Sequence, residues 1–454
     1  MSDTPKSELT QEILTENVWK LLWRLSMPAI IGMSINGINA FVDGLYVGQF
    51  LGQEALAAVS LAFPLMMVTN GISAMIGVGS SSLLSIAIGA GNLDTQRKIF
   101  GTMTALSLIT SVVLSILGII FAPQLIGFLG GTGEILALGV TYYRIMMIGA
   151  FFRIFAVAAN TLIRAEGKIK EAMVFSIIAA VLNIILNPIF IYYLDGGIAG
   201  AAWATVVAMI IFTLMGIWYF WAGKANYPVS LRTYSLSRDL LKPILSVGVS
   251  AMMLQLMFFV QQVIVFRLLA QYGDDWDIAF MGSSYRVLLL ILFPSFGFAQ
   301  ALQPVVGINF GARQYDRVRS SFTSFGLGAT GLMTIVWVFI MWEPAVCLSW
   351  MMPDATFTSK DLWDFRMMML TLPTFPIFFM TTTMFQAIGN ARIAGFLIVA
   401  RELLLFVPIV FILPLFYGVS GIYYTGVPVN CIVLVIMFIS LNRQFRRLRQ
   451  PAYQ

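Results

Sequence analysis

Apolar residues run on for twenty or more positions between short polar or glycine-containing breaks. The runs cover residues 21–48, 55–90, 100–129, 135–163, 172–194, 197–222, 240–271, 279–310, 318–342, 364–388, 393–417 and 418–441. About twenty such residues cross the hydrocarbon core of a bilayer as a helix, so the pattern predicts twelve membrane-spanning helices. The longer runs exceed that thickness and must tilt, kink or project. Connections as short as Asp195-Gly196-Gly197 and Tyr417-Gly418 force neighbouring helices to be antiparallel. The expected fold is therefore an all-α integral membrane protein.

Charge in the connections alternates. One set carries Arg97 and Lys98; Arg164, Lys168 and Lys170; Lys224, Arg232, Arg238 and Lys242; Arg313, Arg317 and Arg319; Arg392; and Arg443, Arg446, Arg447 and Arg449. The intervening connections at 49–54, 130–134, 195–197, 272–278 and 417–418 have no Lys or Arg, and Lys360 is the basic exception on that side. Basic residues stay on the cytoplasmic side of a membrane, so both termini are expected there, in a multi-pass protein of the cytoplasmic (inner) membrane.

The largest polar interruption, Gly223 to Asp239, falls halfway along the chain. Moving forward 222 positions takes Gly89-Ala90 to Gly311-Ala312, Asp94 to Asp316, Arg144 to Arg366, Thr161 to Thr383, Ala165 to Ala387 and Gly167 to Gly389. A shift of 221 relates Gly197-Ile198-Ala199-Gly200 to Gly418-Val419-Ser420-Gly421, which implies a one-residue indel. The expected organisation is a tail at 1–20, an N-lobe of six helices at 21–222, a linker at 223–239, a C-lobe of six helices at 240–443 and a tail at 444–454. Lobes with an even number of helices insert the same way up. They are then related by a pseudo-twofold axis along the membrane normal, and such halves wall a central cavity.

With 59% hydrophobic and 11% charged residues and a mean hydropathy of +0.88, the chain lies far from the roughly 25% charged composition of soluble domains. The charge alternation accounts for the net charge of +6 better than nucleic-acid binding does. Residues 1–20 lack the basic start, short apolar core and cleavage site of a signal peptide. Histidine is absent, and Cys347 and Cys431 are too few for a ligand cluster. Gly167-Lys168 and Gly223-Lys224 lack the surrounding pattern of a phosphate-binding loop. No segment is long enough for a nucleotide-binding domain. An enzyme, a cofactor and transport driven by this chain's own ATP hydrolysis are all disfavoured.

Polar side chains inside the apolar runs are the candidate chemistry. Asp43 stands alone in Phe41-Val42-Asp43-Gly44. A charged Asp at the centre of a spanning helix costs about 2.5 to 3.5 kcal/mol, and keeping it protonated through a three-unit pKa shift costs about 4 kcal/mol. The two are close, so modest changes in surroundings move a proton or admit a cation. Asn183 and Asn187 share one face of the fifth helix, ahead of Pro188, and helix-depth counting puts Asp43, Asn187 and Thr205 in the outer half of the bilayer. Their oxygens form a hard cluster for a proton, sodium ion or water chain. The alternatives are ordinary interhelical hydrogen bonds for the amides and threonine, and an ion pair between Asp43 and Arg153.

Arg144, Arg267, Arg286 and Arg366 read as snorkelling residues near helix ends. Arg401 and Glu402 are adjacent and so about 100° apart on an α-helix; they are expected not to face one another but to pair with other helices near the cytoplasmic third. Gln261, Gln262, Gln300, Gln303 and Thr381 to Thr383 give the second half polarity without an acid, and 26 Met and 36 Phe suit a soft aromatic cavity for amphipathic cations.

Pro28, Phe41-Val42-Asp43, Thr161-Leu162-Ile163-Arg164-Ala165-Glu166-Gly167, Leu182-Asn183-Ile184-Ile185-Leu186-Asn187-Pro188 and Gln300-Ala301-Leu302-Gln303-Pro304 running to Gly311-Ala312 occur in an order that resembles the multidrug and toxic compound extrusion (MATE) family, in its DinF-like branch, along nearly the whole chain. The resemblance implies an efflux antiporter exchanging organic compounds for H+ or Na+. It places ion coupling on Asp43, Asn183, Asn187 and Thr205, with Tyr142 and Asn160 nearby and a bendable first helix at Pro28. Asn36, Gln261 and Gln303 are further cavity positions. The branch often has a second acid where Asn187 stands, and the NorM-like branch uses acids in the seventh and tenth helices that this chain lacks. The expected partners are small organic substrates and the bilayer, with no nucleic acid and no obligate protein. A flippase for lipid-linked saccharides or other envelope precursors is the alternative; it calls for a cationic central cavity, whereas most Arg residues here fall at the periphery.

Overall fold

The apolar runs fold as helices because a helix satisfies every backbone N–H and C=O within its own segment, which hydrocarbon demands. The computed structural model describes residues 8–227, 229, 236–352 and 355–450, and apart from turns and short connections these are helical. The helices are α1 Glu8–Thr15, α2 Val18–Ala90, α3 Leu93–Phe128, α4 Gly133–Ile148, α5 Ala150–Ala165, α6 Ile169–Pro188, α7 Gly197–Trp221, α8 Arg238–Tyr272 and α9 Asp275–Gly311. They continue with α10 Tyr315–Trp342, α11 Pro344–Ser349, α12 Ser359–Met369, α13 Phe375–Ala387, α14 Ala391–Val399, α15 Phe406–Tyr417, α16 Val419–Tyr424 and α17 Gly426–Leu448. Among the described residues, 10 stretches are individually long and apolar enough to cross a membrane, and α4 and α5, bent by 53° at Gly149, form another crossing together. The 73 residues of α2 would run about 110 Å as one helix, far beyond a hydrocarbon core of about 30 Å. Gly52, at φ 84° and ψ −174°, breaks it, so α2 supplies two spans and the total is twelve, in two six-helix lobes.

Several spans are irregular inside. Five residues of π-helix, Ile189–Tyr193, extend α6. A 3-10 turn at Leu372–Thr374 joins α12 to α13, and a π-helix at Ala400–Leu405 joins α14 to α15. Residues 1–7, 228, 230–235, 353–354 and 451–454, which include part of the expected linker and both chain ends, lie outside the described residues.

The sequence repeat has a structural counterpart. Arg144 donates from Nε to the carbonyl of Ile119 at 3.2 Å, and Arg366 donates from Nε to the carbonyl of Met341 at 3.0 Å; donor and acceptor both shift by 222 positions. Left-handed backbone recurs in the same way, at Gly91 and Arg313 and at Gly167 and Gly389. The two arginines are thus helix-to-helix ties that hold each lobe's third and fourth spans together.

The lobes meet most closely in the half of the molecule that carries both described chain ends. A Cβ on Gly79 would collide with the carbonyl of Ile244, one on Gly248 with that of Met75, and one on Gly311 with that of Ile86. Ser82 Oγ donates to the carbonyl of Gln386 at 2.6 Å, and Gln303 Nε2 donates to Ser81 Oγ. Helix α1 lies across this end. Its buried Ile13 sits over Gly167, where a Cβ would stand 2.8 Å from Ile13 Cδ1. From the other lobe, Arg317 Nε donates to the carbonyl of Ile13 at 3.0 Å and its guanidinium also reaches the carbonyl of Glu16.

Candidate functional site

Asp43 lies in the first span of α2, and its carboxylate is met by an amide. Asn187 Nδ2 donates to Asp43 Oδ1 at 2.6 Å. Asn187 sits in the last turn of α6, only 1% exposed, where Pro188 and the π-helix behind it turn the chain. Its Oδ1 is buried without a hydrogen-bond partner, so one polar acceptor stays open beside the carboxylate. One turn back, Asn183 Nδ2 donates to Thr205 Oγ1 at 3.2 Å, and that hydroxyl donates to the carbonyl of Ala201 at 3.2 Å. The bend at Gly149 is where α4 and α5 pass α7: a Cβ there would lie 2.6 Å from Val206 Cγ2, next to Thr205. Asp43 on α2, Asn187 and Asn183 on α6 and Thr205 on α7 thus lie in one region.

Among the described residues Asp43 forms no ion pair. Arg153 Nε is given instead to Asn70 Oδ1 at 2.9 Å, although Arg153 remains within electrostatic reach of Asp43. Tyr142 is buried and within reach of both. Asp43 is therefore an acid held by one neutral amide, with a cation at longer range.

The remaining sequence candidates lie elsewhere. Asn160 Nδ2 donates to the carbonyl of Ala172 at 2.8 Å and ties α5 to α6. Asn36 is exposed on α2, and α2 passes through Pro28 without leaving helical geometry, its one non-helical residue being Gly52. Gln303 is spent on the seam with Ser81, and Gln261 lines a cavity within the C-lobe. Arg401 and Glu402 correct an expectation: they form an ion pair with each other. Both lie in the π-helix Ala400–Leu405, whose wider turn relaxes the 100° separation of an α-helix, so neighbouring side chains converge.

Two buried acids, Glu166 and Asp364, escaped the sequence reading. Glu166, just outside the span formed by α4 and α5, is 0% exposed and accepts from Tyr219 Oη and from the backbone N–H of Asn226. Burial pushes its carboxyl up to about 7 despite those two donors. With Lys168 Nζ bonding the carbonyl of Lys224, it pins the start of the interlobe connection against the N-lobe. Its partners come from α7 and the following turn, which sequence spacing alone does not bring to position 166.

The MatE family model matches residues 28–189 and 247–413. Over 411 residues, 89% of each chain, the protein is 24% identical to the multidrug export protein MepA of Staphylococcus aureus (strain MRSA252). It is 26% identical over 328 residues, 70% of each chain, to the probable multidrug resistance protein YoeA of Bacillus subtilis (strain 168). The outward-facing conformation of a multidrug resistance MATE transporter superposes with a TM-score of 0.91 at 28% identity, covering 98% of this chain and 100% of the other. A MOP superfamily transporter from Pyrococcus furiosus gives 0.90 at 28% identity, with the same coverage. With the family model matching most of both halves and the twelve-span, two-lobe plan shared with solved MATE structures, the chain belongs to the MATE family, whose members are membrane transporters and not enzymes.

Proposed function

We propose that the protein is a secondary active exporter of organic, often cationic amphipathic compounds, working in the cytoplasmic membrane in exchange for protons taken up at Asp43. The observation that carries this reading is the acid–amide pair: a membrane-embedded carboxylate without an ion-pair partner among the described residues, beside an Asn187 whose Oδ1 is buried and open. A protonated Asp43 can donate to that oxygen while still accepting from Nδ2, closing a ring of two hydrogen bonds. The site is thus complementary to the neutral acid as well as to the anion, and a cycling proton needs both. Intramembrane acids mark ion pathways, and similarity to the multidrug export protein MepA and the probable multidrug resistance protein YoeA supports organic compounds as cargo.

The basic connections put the closed end of the molecule in the cytoplasm. The lobes then part toward the outside, where Asp43 takes up its proton. Neutralising the acid removes the cost of moving a charge through hydrocarbon, and the lobes rock to release the proton inward and accept cargo. A ligand shifts such an equilibrium only by its differential affinity for the two states, so proton and cargo must favour opposite ones.

The test is ethidium transport by proteoliposomes under an imposed proton gradient or an imposed sodium gradient, with wild type and Asp43→Asn. Proton-driven transport that falls to the leak of empty vesicles in Asp43→Asn is expected. Transport driven by sodium alone would overturn the choice of ion, and concentrative pumping by Asp43→Asn would overturn the site.

A further inference from the structure

The C-lobe holds its own buried carboxylate, which the transport reading leaves unused. Arg401 and Glu402 are 9% and 2% exposed, in the π-helix at the middle of their span. The Arg401 guanidinium lies 4.7 Å from the ring centre of Phe375 and 4.8 Å from that of Phe378. Its Nε donates to Asn430 Oδ1 at 3.1 Å, Asn430 Nδ2 donates to Thr371 Oγ1 at 2.7 Å, and Nη1 pairs with Glu402 Oε1. The other carboxylate oxygen, Oε2, is buried with no hydrogen-bond partner.

A cavity of about 80 Å³ adjoins this cluster, lined by Arg401, Asn430, Thr371, Gln261 and Tyr285 among aromatic and aliphatic side chains. At about 10–15 Å³ per water it holds roughly half a dozen waters, and it is far below the roughly 300 Å³ that a drug-sized ligand needs. Gln261 and Tyr285 make no hydrogen bond among the described residues, so the cavity offers water several polar contacts. π-helical turns and membrane-embedded acids both concentrate at functional sites.

We propose that Glu402 is a second proton site, its proton passing through the C-lobe cavity that its partner Arg401 lines. A proton passed from bulk solvent along the cavity water bonds to Oε2, the carboxylate becomes a neutral acid, and the pair passes from zero net charge to one positive charge. That charge stays on Arg401, where Asn430 Oδ1 and the faces of Phe375 and Phe378 hold it. A metal cation fits poorly: Arg401 repels it, and no group of three or more His, Cys, Asp or Glu that could hold one occurs among the described residues. The titratable groups around Glu402 are Arg401 on its own turn and Tyr285 on α9. Tyr423 on α16 lines the same cavity, with Asp364 on α12, bonded to Ser420, beyond it.

The site stands independently of Asp43, while its consequence, a second proton per cycle, rests on the proton-driven reading. Infrared difference spectra of the purified full-length protein between acidic and neutral buffer give a direct measurement. Subtracting Glu402→Gln from wild type should leave the carbonyl band of a buried protonated acid, and the same band should persist in Asp43→Asn and in Glu402→Asp. Glu402→Gln leaves Arg401 charged and unpaired; if it does not fold, Arg401→Gln/Glu402→Gln removes both charges and takes its place. In proteoliposomes the number of protons moved per ethidium should fall about twofold in the Gln variant and recover in Glu402→Asp, as linkage requires when one of two coupled sites is lost. A subtraction with no carboxyl band, or an unchanged proton-to-ethidium ratio, overturns the proposal. If Asp43→Asn keeps pumping while the Glu402 band is present, the Asp43 reading alone has failed.

Discussion

Asp43 in the N-lobe and Glu402 in the C-lobe are both acids inside apolar spans, and their surroundings differ in kind. Asp43 accepts from a neutral amide with no cation in contact, whereas Glu402 is locked to a guanidinium that is itself held by Asn430 and two aromatic rings. The repeat does not relate them. Moving 222 positions from Asp43 reaches Val265, and moving back 222 from Arg401 and Glu402 reaches Ala179 and Ala180. The ties that do repeat, Arg144 to Ile119 and Arg366 to Met341, serve the scaffold. Each lobe therefore carries its intramembrane charge on a common frame at a place of its own: the N-lobe's charge is exposed to change, and the C-lobe's is counterbalanced.

The sharpest way to break this contrast is to remove one partner of the C-lobe pair. Arg401→Ala strands a buried carboxylate and is expected to cost about 3–5 kcal/mol, while Arg401→Met with Glu402→Leu returns to near wild type or above it. Thermal unfolding in detergent reads the difference, and a single variant no less stable than the double would show that the pair carries little internal balance.

A third acid, Glu166, sharpens the comparison because it is buried and hydrogen-bonded with no cation in contact. Its carboxyl titrates at about 7, against an ordinary value of 4.5, so the fold favours its protonated form. The stabilisation is full below about pH 4.5, is lost as pH rises to about 7 and is flat above, amounting to about 3 kcal/mol at about 1.36 kcal/mol per unit. Unfolding midpoints across that range should fall for wild type and fall less steeply for Glu166→Gln; parallel curves would mean that Glu166 is hydrated in solution. The smallest effect is expected at Asn183→Ala, which gives up the bond to Thr205 for about 0.6 kcal/mol and leaves the Asn187 bond to Asp43 in place. A large loss of stability there would join Asn183 to the Asp43 pair as one unit.

The span count was legible in the sequence because apolar length and basic alternation are properties of single segments. So was the neighbourhood of Asp43 and Asn187, through helical spacing, depth counting and family resemblance. Pairing across helices was not. The alternative reading pairs Arg153 with Asp43, yet its Nε goes to Asn70, 83 positions away, because rotation of packed helices decides which of several reachable acceptors is met. The Arg401–Glu402 pair was hidden for a local reason: the 100° rule assumes α-helical turns, and nothing in Ala400-Arg401-Glu402-Leu403 announces a π-helix. Glu166 stands in the sequence only within the Thr161–Gly167 motif, and its role became visible once its partners from α7 and the following turn were in place.

Helix α1 has a mechanical consequence. It is fastened to one lobe through Ile13 over Gly167 and to the other through Arg317 and the carbonyls of Ile13 and Glu16. A molecule whose lobes separate at that end must let go of one fastening, and release from Gly167 uncovers Ile13, which is fully buried. In the transport cycle proposed above, the 8 residues of α1 would be a clasp across both lobes, formed by a segment that never crosses the bilayer.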